Sequence, residues 1–507
     1  MKRNNMLQGI SLKTASGRQN FIILLLIICS LAVRLVVFIN TDNSDGIAMG
    51  RVVNALNILE DPALRSNFDP NVSVLYNYSL AAVLRFWPDP LNGPRVFTMF
   101  FGVFSVIPFY FLIKLLFNER IALFSVILLI LDPFHIMQSV LSTSDAAFYL
   151  FFLSSLYYLF KFNKQKSNFA FILALVLFNV ASLLRFESWI FIPVLSLFLF
   201  RNRKRYVLMF FFFSLILPSL WLYLCHHFFG DVLYSFRAPA NTMHIELTML
   251  NRVYYVRSIY ALGELLADAI TPAVTILGLC GILYAVYEKK HLQLALLFAL
   301  LYCLFTVNML FTRMWFNYRS TIFLGILIMP YAVYIIEKLA VRIRVNSIIL
   351  LLFFTLLCVP AFQEIINKYL PSFKLSRGIE ELATKIRVQV KPGEKVMLVA
   401  DELDVFDQDI IVRSGLPPRI FSVISTISCV TQLNTKKDIR EYILSFKPDY
   451  LVWSSDSCLQ KKVNLDLDKN TLKDFGWRLE LIASQPVFSR SSGMQKYNIY
   501  KINYSQN

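Results

Sequence analysis

Eleven apolar runs, most of them about as long as a bilayer is thick, leave this chain little choice of architecture. They fall at residues 21–39, 94–116, 121–137, 146–160, 169–184, 189–200, 206–224, 266–287, 292–311, 320–336 and 347–362. Hydrocarbon offers the backbone no hydrogen-bonding partner, so runs of this kind close their own hydrogen bonds as helices. The expected fold is a polytopic α-helical membrane protein with about eleven transmembrane helices. A hydrophobic share of 57%, with 15% aromatic residues, is more than a soluble chain of 507 residues needs to fill its core.

The net charge of +17 would suit a nucleic-acid partner if it formed a patch, but the basic residues lie in short loops between apolar runs and orient the chain in the bilayer. Lys2, Arg3, Lys13 and Arg18 precede the first run with no acid among them, and no small-residue cleavage site follows it. The first run therefore reads as a retained signal-anchor. With eleven spans, Arg120, the cluster Lys161, Lys164 and Lys166, the cluster Arg201, Arg203, Lys204 and Arg205, the pair Lys289 and Lys290, and Lys338, Arg342 and Arg344 all share the side of the N-terminus. The positive-inside rule makes residues 1–20 cytoplasmic, residues 40–92 an outer loop, and everything beyond residue 362 extracytoplasmic. The count requires residues 169–200 to turn at Arg185-Phe186-Glu187, because one helix there would be about 48 Å long, more than the hydrocarbon core.

The outer loop is long enough for structure of its own. Ala48, Val52, Val53, Leu56 and Leu59 recur at helical spacing after Gly46, which predicts an amphipathic helix along the membrane surface, ended by Asp61-Pro62. The chain thus divides into residues 1–20, a transmembrane domain over 21–362 that includes the 40–92 loop, and a soluble domain over 363–507. In that last part, strand-like runs at 395–400, 419–424, 450–453, 479–483 and 497–502 alternate with helical patterns at 379–388, 403–412 and 436–446. Such alternation predicts a small α/β sheet domain. From Ser372 onward twenty Lys and Arg face sixteen Asp and Glu, so only +4 of the charge belongs here. The domain has no glycine-rich nucleotide loop. The seven cysteines show no CxxC and no His at ligand spacing, which speaks against structural zinc, and Cys429 and Cys458 are either buried thiols or an extracytoplasmic disulfide.

Polar residues gather at the outer ends of spans: Asp42 and Asp45 after the first, Asp132, His135 and Asp145 between the third and fourth, Arg185 and Glu187 after the fifth, and Arg313, Tyr318 and Arg319 before the tenth. Arg34 lies within the first span, where it either faces the bundle or snorkels to the headgroups. Carboxylates and guanidinium groups on one membrane face suit a lipid phosphate together with a hydroxyl to be deprotonated. The planar fork of Arg donates two parallel hydrogen bonds to phosphate, and a carboxylate partly withdrawn from water is a better base. Asp145 has a second reading as a cap of the fourth span, since Ser144-Asp145 is a good N-cap pair, and His135 a second reading as a packed interfacial histidine.

Four stretches resemble the GT-C superfamily, the polytopic glycosyltransferases that use polyprenyl-phosphate sugars, and within it the protein O-mannosyltransferases (glycosyltransferase family 39) and the aminoarabinose transferases. They are Ala32-Val33-Arg34-Leu35 followed by the acidic Asp42 to Asp45 opening; Gly93-Pro94-Arg95-Val96 leading into Gly102-Val103-Phe104-Ser105; Asp132-Pro133-Phe134-His135 followed by Ser142-Thr143-Ser144-Asp145; and Leu184-Arg185-Phe186-Glu187. The likeness covers residues 20–200; beyond them Asn317-Tyr318-Arg319 is a loose match to an Arg-Tyr element. The first motif departs from the Asp-Glu pair of those branches, with two aspartates three residues apart.

The resemblance implies an inverting glycosyltransferase that moves a sugar from a polyprenyl-phosphate donor to a hydroxyl of a protein, lipid or glycan acceptor on the extracytoplasmic face. It implies Asp45 or Asp42 as general base, Asp145 as a second acid that orients acceptor or donor, and Arg185 and Arg319 on the lipid phosphate; the gathering of polar residues at the span ends adds Arg34, His135, Glu187 and Tyr318 as further binding candidates. No cofactor is expected, although Asp45 and Asp145 could share a divalent cation as in the oligosaccharyltransferase branch. Two other classes compete. A transporter or lipid flippase would show internal repeats and interrupted midplane helices, and a non-catalytic subunit of the same architecture would use its outer domain to bind a partner.

Overall fold

The protein is described by a computed structural model over residues 2–42, 44–64, 68, 74–199, 204–235, 237, 261–311, 318–369, 374–376, 378–399, 407–424, 436–454, 471–472, 477–489 and 493–504. It comprises two compact units. The first holds Met1–Asn40, Ser73–Tyr76 and Arg95–Tyr369, and the second holds Thr41–Val72, Asn77–Pro94 and Leu370–Asn507. Cys429, Cys458, Arg313 and the helical pattern at 403–406 lie outside the described residues.

The described residues of the first unit form helices and the turns that join them. Among the described residues, five helices are long and apolar enough to cross a membrane: Gly17–Ile39, Gly93–Leu116, Lys204–Phe229, Thr321–Arg342 and Ser347–Asn367. Two bent pairs, Glu119–Leu131 with Pro133–Val140 and Leu262–Ile270 with Pro272–Tyr287, raise the count to seven if each is one span. Asn168–Leu184, Phe186–Leu199 and Leu292–Val307 are shorter apolar helices.

The breaks have local causes. Proline disfavours helical backbone in the residue before it, and Asp132, before Pro133, is extended (φ −61°, ψ 120°). Its carboxylate then caps the next helix by accepting from the His135 N–H at 2.7 Å, and the two axes meet at 59°. The run at 121–137, expected to be one helix, is therefore two. At the second bend Thr271 precedes Pro272 with φ +76°, a strained value for a β-branched residue. The Asn168–Leu184 helix stops at Arg185, as expected, and a short 3-10 turn, Phe186–Ile190, leads into Phe191–Leu199.

The second unit is built on a six-stranded sheet in the order β2-β1-β3-β6-β5-β4, with β1 Val396–Val399, β2 Phe421–Ile424, β3 Tyr450–Ser454, β4 Thr471–Leu472, β5 Trp477–Ser489 and β6 Gly493–Asn503. β1 runs parallel to β2 and β3, while β3, β6, β5 and β4 pair antiparallel. Side chains alternate across a strand, and here both faces are covered. Val396, Leu398, Tyr450 and Val452 pack in one core with the Ile379–Gln389 helix, and Met397, Val399, Leu451 and Trp453 pack in another with Ile439 and Ile443. Before the Ile379–Gln389 helix, Gly378 adopts φ +93°, and a Cβ there would stand 2.2 Å from the Pro486 carbonyl oxygen.

The Gly46–Glu60 helix forms where its periodicity predicts, but its surroundings differ from the expected membrane surface. Met49, Val52 and Val53 are buried in the same core as Ile379, Leu382, Ile410 and Ile411. Its apolar face is thus covered by protein, and the first polar loop groups with the C-terminal chain rather than with the helical unit.

Candidate active site

In the helical unit, Arg34 anchors a sealed polar cluster. It is fully buried, and its Nη1 donates to the Ser30 carbonyl at 3.0 Å and the Ser30 hydroxyl at 2.7 Å. Its Nη2 meets His135 Nδ1 at 2.6 Å. Ser105 spends its single proton on the Gly102 carbonyl, 2.8 Å away, so at the 3.1 Å contact with His135 Nε2 the ring must donate. His135 is therefore a neutral Nε2–H tautomer that accepts from Arg34. Gly102 makes room for this arrangement: a Cβ there would lie 2.1 Å from Ser139 Oγ and 3.2 Å from Arg34 Nε. Arg95, from the second motif, donates to the carbonyls of Phe38 (2.9 Å) and Val140 (3.0 Å) and stacks over the Phe38 ring. It satisfies carbonyls that two helix ends leave open.

A second cluster lies at the start of the Asp145–Gln165 helix. Asp145 is fully buried and pairs with Nη1 of Arg185. The Nη2 and Nε of Arg185 form a fork on Glu187, at 2.5 and 3.2 Å. Side-chain exposure rises along this chain of contacts, from 0% at Asp145 through 15% at Arg185 to 31% at Glu187. The turn that carries Arg185 and Glu187 is fixed by the Ser188 hydroxyl on the Arg185 carbonyl (2.7 Å) and the Trp189 indole N–H on the Ser182 carbonyl (3.2 Å).

Arg185 and Glu187 stand with Phe148, Tyr149, Phe191, Phe305 and Phe323 around a narrow cleft that opens to solvent. Its wall is stiffened by ring contacts, with Phe191 stacked on Phe323 at 5.0 Å between centroids and Phe152 edge-on to Phe323 at 4.7 Å. Tyr149 links the two clusters, its ring lying 5.6 Å from that of His135. A guanidinium at the rim of an aromatic cleft suits an anionic group. The aromatic residues at the start of the fourth span were not singled out by spacing, because their pattern is that of any buried helix.

In the second unit the acidic opening is held at several points. Asp45 is the N-cap of the Gly46–Glu60 helix, its Oδ1 accepting from the Ala48 N–H at 2.9 Å. Asp42 accepts from the Leu375 N–H through Oδ2 (3.1 Å) and from Arg413 Nη2 through its carbonyl (3.1 Å). The Ser44 hydroxyl donates to Asp409 Oδ2 at 2.8 Å, and Arg413 Nε lies 3.4 Å from Asp409 Oδ1. Burial pushes the Asp409 carboxyl up to about 6, held from rising further by the Ser44 hydrogen bond and the Arg413 charge. Asp409, Arg413 and Leu375 carried no motif. Their partners are more than 300 residues away in the chain.

Tyr318 and Arg319 begin the Tyr318–Arg342 helix, and their side chains lie outside the described residues. Among the described residues no three His, Cys, Asp or Glu side chains come together as a metal site.

The family model for dolichyl-phosphate-mannose-protein mannosyltransferases matches residues 71–225, a stretch that contains Arg95, Gly102, Asp132, His135, Asp145, Arg185 and Glu187. No curated protein matches the chain by sequence. Among solved structures, ArnT from Cupriavidus metallidurans superposes with a TM-score of 0.62 at 10% identity, over 93% of this chain and 97% of that one. The chain has the GT-C fold. This GT-C chain is also similar to the oligosaccharyltransferase AglB from Archaeoglobus fulgidus, in a complex with an inhibitory peptide and a dolichol-phosphate (TM-score 0.58, 11% identity, 96% of this chain and 74% of that one). ArnT bound to undecaprenyl phosphate gives 0.60 at 11% identity, again over 93% and 97%. The GT-C likeness and the apolar helices identify a multi-pass membrane protein.

Proposed function

We propose that this GT-C protein is an inverting glycosyltransferase that moves a sugar from a polyprenyl-phosphate donor to a hydroxyl acceptor on the extracytoplasmic face. The observation that carries the reading is Arg185, held at the rim of an aromatic cleft between a sealed carboxylate, Asp145, and a partly open one, Glu187. An incoming phosphate replaces Glu187 on the Nε and Nη2 fork while Asp145 keeps Nη1 in place.

In the transfer step, the acceptor oxygen attacks the anomeric carbon from the face opposite the phosphate. The carbon–oxygen bond to phosphate breaks, and its electron pair leaves with the polyprenyl phosphate. Arg185 stabilises the charge that develops there. The proton of the acceptor hydroxyl passes to a carboxylate, Asp45 in this proposal with Asp42 as the alternative. Asp42 is tied to residues far along the chain, its carboxylate to the Leu375 N–H and its carbonyl to Arg413, whereas Asp45 accepts within its own helix, through Oδ1 from the Ala48 N–H and through its carbonyl from the Met49 N–H. Arg34 and His135, engaged with each other and sealed, hold helices in position, and Arg319 is retained as a second phosphate ligand. The span count of eleven, a cytoplasmic N-terminus and an extracytoplasmic α/β unit belong to the same reading, supported by the loop charges.

The test is purified protein given a radiolabelled polyprenyl-phosphate sugar. Release of free lipid phosphate, lost in Asp45→Asn at unchanged expression, supports transfer. The two bent helix pairs are the observation that favours a transporter, and movement of labelled lipid across a vesicle membrane without glycosyl transfer would replace the transferase reading with that one.

A further inference from the structure

The Gly46–Glu60 helix and the acidic segment before it are tied at both ends to residues from far along the chain. At the N-terminal end, Asp409 accepts from the Ser44 hydroxyl and faces Arg413, Arg413 donates to the Asp42 carbonyl, and the Leu375 N–H donates to the Asp42 carboxylate. At the C-terminal end, Arg419 donates to the Asn57 carbonyl at 3.2 Å, with its guanidinium 3.6 Å from Glu60 and 3.5 Å from Asp61. A guanidinium at that end complements the helix dipole and adds a second donor to a carbonyl that already accepts from the Asp61 N–H. Between the two ends, Met49, Val52 and Val53 are locked into a core with Ile410 and Ile411. The helix therefore cannot shift along its axis or roll without breaking contacts to residues 375–419.

Asp409 and Arg413 are themselves almost fully buried, with side chains 2% and 7% exposed. A buried ion pair is expensive to desolvate, and apolar side chains of similar volume would fill such a site at least as stably. What the charged pair adds is direction. Arg413 reaches Asp409 and the Asp42 carbonyl with different nitrogens, and Asp409 receives Arg413 and Ser44 on different oxygens. The pair thus fixes residue 42 and residue 44 together, on either side of residue 43 and immediately before Asp45.

We propose that Asp409 and Arg413, assisted by the Leu375 N–H, are positioning residues for the Asp45 carboxylate. The proposal rests on the reading of Asp45 as the general base. Neither residue touches substrate; each acts by holding the segment that presents Asp45.

The test uses full-length protein in nanodiscs, with Arg413→Ala, Arg413→Lys, Asp409→Asn and Ser44→Ala, and Lys501→Ala, which removes a surface pair with Glu394, as a control in the same unit. Misplacing a catalytic group by about 1 Å is worth up to ~100-fold. Arg413→Ala should lower kcat by roughly 10- to 100-fold with the donor KM close to the parent's, and, because it leaves the buried Asp409 without its cation, it should also lower the unfolding temperature, a loss that Arg413→Ala combined with Asp409→Asn partly restores without restoring kcat. Asp409→Asn still offers Ser44 an acceptor oxygen, and Arg413→Lys can reach only one of its two partners, so both should fall between Arg413→Ala and the parent. Amide exchange over residues 40–48 should quicken in Arg413→Ala and stay unchanged in the control. Parental kcat together with parental exchange in Arg413→Ala would overturn the proposal. If Arg413→Ala does not fold, Ser44→Ala, which deletes one hydroxyl, decides by the same two readouts. If the parent transfers no sugar, the transferase reading falls, and the exchange result still decides whether residues 409 and 413 position the segment.

Discussion

Asp45 has two duties in this account, and substitutions can separate them. As the N-cap of the Gly46–Glu60 helix it accepts from the Ala48 N–H at 2.9 Å, a service that Asn and Ser perform about as well as Asp. As general base it needs an ionised carboxylate, which neither supplies. Asp45→Asn and Asp45→Ser should therefore leave the helix intact and lower turnover by about 10²- to 10⁴-fold. Asp45→Ala should show the same loss of turnover plus a cap penalty of about 0.5–2 kcal/mol. A penalty near 1 kcal/mol opens the first turn roughly fivefold more often, because ~1.4 kcal/mol is tenfold in an equilibrium constant. Its buried residues Ala48, Met49, Val52 and Val53 keep the rest of the helix closed.

The assay pairs single-turnover release of polyprenyl phosphate with amide exchange across residues 46–60. Asp42→Asn is the companion variant, since its amide oxygen can still accept from the Leu375 N–H, and it should stay within about threefold of the parent, a difference under ~1 kcal/mol. Full activity in Asp45→Asn with loss in Asp42→Asn would refute the choice of base. Equal loss of activity and of exchange protection in Asp45→Asn would refute the separation of the two duties.

Arg185→Ala leaves the buried Asp145 without its cation, and breaking a buried pair typically costs 3–5 kcal/mol; thermal unfolding should show a large drop that Asp145→Asn partly restores, with no recovery of transfer. Glu187→Gln loosens the fork that the phosphate must displace, so polyprenyl phosphate should bind about three- to tenfold more tightly, close to the ~1 kcal/mol ceiling of a partly exposed ion pair; inhibition by added lipid phosphate measures this. Gly102→Ala forces a Cβ to 2.4 Å from Ser139 Cβ and should destabilise the helical unit by about 1–3 kcal/mol, relieved in the Gly102→Ala, Ser139→Gly double variant, as read by thermal unfolding. Asp409 titrates at about 6 in the folded protein and near its ordinary 3.8 when unfolded, so the folded form holds its proton more tightly. Its contribution to stability is full below about pH 4 and lost as pH rises through about 6; the pH dependence of exchange over residues 407–414 should show this and flatten in Asp409→Asn.

Much of the fold is legible in the sequence because periodicity and proline are local signals. The helix after Gly46, the stop at Arg185 and the alternation that became β1, β2, β3, β5 and β6 all form where the pattern predicts. The break at Asp132-Pro133 was equally available, since an aspartate before a proline followed by a helical run is an N-cap signature, but the continuous hydrophobicity on both sides concealed it. What the pattern could not supply is the identity of a neighbour. The apolar stripe of Gly46–Glu60 requires burial, and lipid or protein satisfies that requirement equally well. Only the far-removed Ile410 and Ile411 decide between them. The same holds for the site. Arg185 and Glu187, two residues apart, advertise their pairing, whereas Arg34 with His135 (101 residues apart) and Ser44 with Asp409 (365 apart) do not.

The contrast between Arg34 and Arg185 shows why residue type at a span end is not enough to locate a phosphate site. Both are guanidinium groups near the end of an apolar run, and both carry motif resemblance. The partners of Arg34 are the Ser30 carbonyl, the Ser30 hydroxyl and a neutral imidazole, all buried, and an anion could reach it only by opening the helix packing around Gly102. The partners of Arg185 are unequal: one is sealed and fixes the group in space, and the other is partly solvated and exchanges against water and ions at little penalty. A binding arginine needs both kinds of partner at once. With only the sealed kind it joins helices; with only the solvated kind it would lack a fixed orientation, and the preorganisation that stabilises a leaving phosphate would be lost.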